Sequence, residues 1–108
     1  MMANVDYVVL GPGPSLQDVM DAVKAATNAT EIVDGNVLVT GDDRTAVTVY
    51  SSHGEGVVAD VYYGGELDER RAISRRIYDH IVEHTDWDVE LDSDDTAGIL
   101  ASRVKSRR

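Results

Sequence analysis

Apolar and polar positions along this chain follow two periods, one helical and one of strands. Val5 to Leu10 is a β-branched, apolar run that reads as a buried strand. Gly11-Pro12-Gly13-Pro14 breaks it, and Ser15 with Asp18 three residues on has the form of a capping box. Leu16, Val19, Met20, Val23 and Ala26 then recur at helical spacing, with Gln17, Asp18, Asp21 and Lys24 on other faces, until the pattern ends near Asn28. Residues 31–33 and 36–40 flank Asp34-Gly35, a strong two-residue hairpin signal. Gly41-Asp42-Asp43-Arg44 marks another turn. Residues 45–52 alternate with Val47 and Val49 on one face, and 57–63 alternate with Asp60 outward; the glycines of His53-Gly54-Glu55-Gly56 join these two strands as an antiparallel hairpin.

After Gly64-Gly65 the period returns to helical over residues 66–84. Ile73, Ile77 and Ile81 make the apolar stripe, widened by Leu67 and Tyr78, while Arg71, Arg75, Asp79 and Glu83 lie away from it. Trp87, Val89 and Leu91 alternate with Asp88, Glu90 and Asp92 as a short strand, apolar on one face and acidic on the other. From Ser93 the pattern fades. The expectation is one α+β domain over residues 1–92, followed by a tail at 93–108 that is a short helix (Ala97, Leu100, Val104) or disordered, with basic residues at its end. The order β-α-β-β-β-α-β, with room for an extra short strand, predicts a two-layer sandwich. Its sheet is rich in antiparallel pairs and carries both helices on one face; a ferredoxin-like split βαβ is a related arrangement.

Charge changes the picture more than composition does. The 108 residues carry 20 acids, mostly aspartate, against 10 bases, a formal net charge of −10. Arg103, Lys105, Arg107 and Arg108 crowd the end; without them six bases face the same 20 acids, a net of −14. Self-repulsion of that size destabilises a compact domain in dilute buffer. At about 1 M salt the Debye length falls to roughly 3 Å and most of the repulsion is screened. Short carboxylates, two lysines and no phenylalanine together resemble proteins of halophilic archaea. With no cysteine there is no disulfide, thiolate nucleophile or cysteine zinc site. No apolar run approaches the roughly 20 residues of a membrane helix, and Met1-Met2-Ala3-Asn4 has neither the basic segment nor the apolar stretch of a secretory signal. The expectation is a cytoplasmic protein with no membrane partner and no implied cofactor.

Four clusters invite chemistry. His80-Ile81-Val82-Glu83-His84 has the H-x-x-E-H spacing of inverzincin metallopeptidases, in which two histidines a turn apart bind zinc and the glutamate acts as base. That resemblance covers five residues and lacks the acidic ligand those enzymes take from a helix well downstream. His80 and His84 flank the isoleucine stripe, as histidines bridging core and solvent do, and Glu83 points away. A metal-binding protein or metal-dependent hydrolase that uses His80, Glu83 and His84, with His53 nearby, is therefore the alternative to a structural role. Gly11, Gly13 and Ser15, with Arg70 near the stripe, could hold an anion or a nucleotide at a helix N-terminus. Against it, Pro12 and Pro14 remove two donors and no Lys-Ser/Thr follows. The acids from Asp86 to Asp95 lack the glycine and glutamate positions of a calcium loop and fit strand alternation. The basic tail lacks aromatic neighbours and an acidic body opposes a polyanion, so nucleic acid is not the expected partner.

What remains points to a surface. The strand faces opposite the predicted helix layer carry Val8, Leu38, Tyr50, Val58 and Tyr62, more apolar than a solvated sheet face needs to be. The expectation is a non-enzymatic domain that forms a homodimer or binds another protein through that second face.

Overall fold

A computed structural model describes residues 5–27, 29, 31–33, 36–38, 45–52, 56–63, 67–93 and 99–104. The elements are β1 (Val5–Leu10), α1 (Leu16–Thr27), β2 (Glu31–Val33), β3 (Asn36–Leu38), β4 (Thr45–Ser52), β5 (Gly56–Tyr63), α2 (Leu67–His84), β6 (Val89–Ser93) and β7 (Ile99–Arg103). They form an α+β fold whose seven strands lie in one sheet in the order β2-β3-β4-β5-β1-β6-β7. Every described ladder is antiparallel, and β5-α2-β6 has the form of a split βαβ, its two mutually parallel strands lying on either side of β1.

The local signals act as the side chains require. Ser15 accepts from the Asp18 amide and Asp18 accepts from the Ser15 amide, both at 3.1 Å, closing the capping box at the start of α1. Val33 pairs with Asn36, the register that a two-residue connection gives. Gly56 opens β5 at φ +88° with no room for a side chain: a Cβ there would lie 2.5 Å from the Leu10 carbonyl oxygen.

Both helices cover the same face of the sheet. Val19, Met20, Val23 and Ala26 of α1 and Ile77, Tyr78 and Ile81 of α2 meet Val8, Leu10, Val47, Val49, Val57, Ala59, Val61, Val89 and Leu91 in one core. Ladder partners share a face, so Val8 lies beside Ala59 and Leu91 under the helices. This corrects the expected outer face, from which Val8 drops out: it is fully buried on the helix side. The strand, expected to be buried throughout, instead alternates, and its inward side holds Asp6, Val8 and Leu10, all fully buried.

The second correction is at the C-terminus. Residues 99–103 form an edge strand, not a short helix. β7 pairs with β6 from Val89↔Arg103 to Asp92↔Ile99, with a register shift between Leu91 and Asp92. Leu100 and Ala101 pack partly against the core, and Arg103 reaches α2. The expected tail therefore contributes to the sheet; residues 94–98 and 105–108 lie outside the described residues.

Candidate functional site

With both helices on one side, no described helix covers the other side of the sheet. Register orders its side chains into rows that run across the strands. One row is Ala46–Tyr62–Val5; the next is Thr48–Asp60–Tyr7–Asp92–Ile99; the third is Tyr50–Val58–Val9–Glu90–Ser102. Val58 is buried at the centre, while Val5, Tyr7 and Val9 are half-buried. Tyr50 and Tyr62 keep 38% and 48% of their surface exposed. The Tyr50 hydroxyl donates to Asp60 Oδ1 at 3.2 Å, fixing an aromatic ring beside a carboxylate. Tyr50, Val58 and Tyr62 thus share this face, and Val5, Tyr7 and Val9 join them in place of Val8. Leu38 is in register with Ala46, but its side chain lies outside the described residues.

The anion constellation is not assembled. Arg70 stands at the start of α2 with 2% exposure, its Nε 3.2 Å from Asp6 Oδ1. Asp6 is four residues from Leu10, roughly 13 Å along the strand, and the Gly11–Ser15 segment leaves from the far end. At four of the five positions of that segment the backbone donor is engaged or missing. The Gly11 amide donates to the Asp88 carbonyl at 2.9 Å, the Ser15 amide donates to Asp18, and Pro12 and Pro14 have none. The Asp18 carboxylate occupies the helix end where an anion would sit, and Gly13, at φ +131°, serves the turn.

Arg70 belongs instead to a buried charge cluster that the sequence pattern does not show. Asp6 Oδ2 accepts from the Ser74 hydroxyl at 2.7 Å and lies 3.4 Å from Arg71 Nε. Arg71 extends on to donate from Nη2 to Ser93 Oγ at 3.0 Å. The two arginine Nε atoms approach Asp6 without the alignment of a hydrogen bond, so Coulomb attraction and the serine carry the cluster. The buried stripe of α2 accordingly runs Arg70, Ser74, Ile77, Tyr78, Ile81, with Ile73 only half-buried at its side. The available signal was weak: an aspartate inside a β-branched strand and an arginine at stripe spacing, either of which can face solvent.

At the other end of α2, the His80 and His84 rings stack with centroids 4.2 Å apart. His84 Nδ1 lies 3.0 Å from the His80 carbonyl oxygen, which directs that ring edge to the backbone. Burial lowers the His80 pKa below its ordinary value, the neighbouring His84 lowers it further, and Glu83 partly offsets both. Glu83 and His84 are exposed beside a shallow depression lined with Val82, Thr85 and Asp86. Among the described residues, no group of three or more histidines and carboxylates is placed to hold a metal ion. His53 lies outside those residues.

The last feature missed is Arg103. From β7 it donates to the carbonyls of Val82 at 3.2 Å, Thr85 at 2.9 Å and Trp87 at 3.0 and 2.8 Å. These are carbonyls at and just past the end of α2, where a cation also complements the helix dipole. No helix among the described residues is long and apolar enough to cross a membrane. Compared with protein-family models, curated proteins and solved structures, the chain matches none of them.

Proposed function

We propose that this chain is a non-enzymatic interaction domain of a halophile's cytoplasm, and that its binding surface is the open face of the sheet. One observation carries the reading. Both helices lie on one side, and the other side carries Val5, Tyr7, Val9, Tyr50 and Tyr62 around a buried Val58, with Asp60, Glu90 and Asp92 set among them. A sheet face left to water is normally more polar than this. Tyrosines also suit interfaces, since each offers a large apolar ring with a hydroxyl at its rim. The partner is a second copy or another protein. The acid excess supports the setting: the repulsion among 20 acids against 10 bases is relieved where salt screens them.

Hydroxyl-radical footprinting in multimolar KCl tests the surface, comparing purified protein at low and high concentration with protein in cell extract. Tyr50 and Tyr62 become protected when a partner is present, the exposed Leu16 on α1 stays reactive, and Tyr62→Asp abolishes the protection. Light scattering on the same samples separates a homodimer, which doubles the mass, from a hetero-complex. Tyrosines equally reactive in every setting, on a protein that stays monomeric, overturn the reading. In the same salt series the melting temperature rises with KCl; a midpoint unchanged down to dilute buffer counts against the high-salt setting.

A further inference from the structure

We propose that the open face receives a cationic peptide segment of a partner protein, one that carries arginine or lysine among apolar residues. This rests on the reading of that face as the binding surface and adds the chemistry of the partner. Among the described residues of the face, every ionic side chain is an acid: Asp60, Glu90 and Asp92. The acids are interleaved with the aromatics. Tyr7 stands in register between Asp60 on β5 and Asp92 on β6, and Glu90 lies beside Val9 in the next row. Neighbouring strands are about 4.8 Å apart, so the two aspartates bracket the tyrosine at about 10 Å from each other. An arginine or lysine side chain entering from solvent meets an aromatic face with a carboxylate on either side. Cation–π attraction and ion pairing then act on the same group. The apolar rows of Val5, Tyr62, Val58 and Val9 take the residues between the cations.

The same charges disfavour the alternative of two such faces meeting. In a two-fold dimer each copy presents the same patch, so Asp60, Glu90 and Asp92 of one copy would face a surface whose described ionic side chains are again acids. Like charges juxtaposed at an interface are costly and reject the wrong partner. A cationic segment turns the same three carboxylates into attraction.

The experiment measures fluorescence anisotropy of two labelled peptides with the full chain. One peptide alternates arginine and lysine with leucine and valine; the other replaces each cation with glutamate. The cationic peptide binds and the acidic one does not. Asp60→Asn with Asp92→Asn weakens binding by about tenfold or more, the loss of two interfacial charge pairs. The control, Asp21→Asn with Asp68→Asn, removes the same number of charges from exposed positions on the helices and changes affinity by less than about threefold, the mark of distant screened charge. Backbone amide shifts in the wild type fall on β1, β4, β5 and β6 and leave α1 unmoved. The proposal is overturned if neither peptide binds, if both bind alike, or if the two double variants weaken binding equally. If it fails while Tyr50 and Tyr62 are still protected in extract, the open face remains the binding surface and only its cationic partner is wrong.

Discussion

The two ends of α2 are tied to the sheet by arginines, in opposite ways. At the first turn, Arg70 and Arg71 converge on the fully buried Asp6, with Ser74 completing the carboxylate. Past the last turn, Arg103 comes from the sheet to the helix and spreads its guanidinium over neutral carbonyls. The first tie places charge in the interior, where removing Asp6 takes a buried carboxylate from two arginines and a serine. The second leaves a single half-exposed cation on groups that water can also satisfy. The difference teaches where this fold is vulnerable: the first junction is costly to break and sets which side of β1 is inside, whereas the second adjusts and mainly holds the edge strand.

The largest effect tests the first junction. Asp6→Ala removes the carboxylate that buried Arg70 and half-buried Arg71 share and costs about 3–5 kcal/mol in denaturant unfolding, the range for breaking a buried ion pair from one side. Asp6→Leu combined with Arg70→Leu recovers most of that loss, because apolar side chains of similar size need no partner. A loss below about 1 kcal/mol for Asp6→Ala would show that the cluster does not hold the junction.

An intermediate effect tests the second junction. Arg103→Ala costs about 1–2 kcal/mol, since the freed carbonyls lie near solvent and rehydrate. Amide exchange quickens in β7 and the last turn of α2 while β1 stays protected. Arg103→Lys restores only part, because an ammonium cannot fork across three carbonyls. Uniform loss of protection throughout the sheet would erase the contrast between the two ends.

The smallest effect is in pH. His80, in the penultimate turn of α2, has a pKa lowered chiefly by burial from about 6.5. In the window below that value the unfolded chain binds more protons than the folded one, so stability rises with pH there. The contribution of His80 is complete above about 6.5 and is lost as pH falls through that value toward the folded pKa. His80→Gln flattens this part of the profile. An unchanged slope in the variant would mean that other groups produce it.

Much of the fold was legible in the chain. Both helices, the Ser15–Asp18 cap and the β4–β5 hairpin follow from spacing and turn chemistry, and Arg75 pairs with Asp79 at 3.2 Å as residues four apart on a helix do. The parity of β1 was not legible. Period two states that Val8 and Asp6 share a face but not which face is inside, and the decisive cation is Arg70, 64 positions away. Strand β7 was hidden for a related reason. Ile99 to Arg103 has little alternation of its own, and its formation depends on the free edge of β6 and on the α2 carbonyls that Arg103 reaches. Of the expected outer face, Tyr50, Val58 and Tyr62 lie where alternation puts them, and Tyr7 was missed through the same parity.

The sequence by itself determined the α+β class, the places of the two helices and the acidity of the surface. Each depends on neighbours within a few residues or on summed charge, and periodicity and composition carry that information directly. Tertiary structure alone decided which face of β1 is buried, whether residues 99–103 join the sheet, and that Asp60 and Asp92 bracket Tyr7. Those depend on pairings between distant residues: a buried aspartate costs too much without its arginines, and an edge strand has no stability without the sheet it completes.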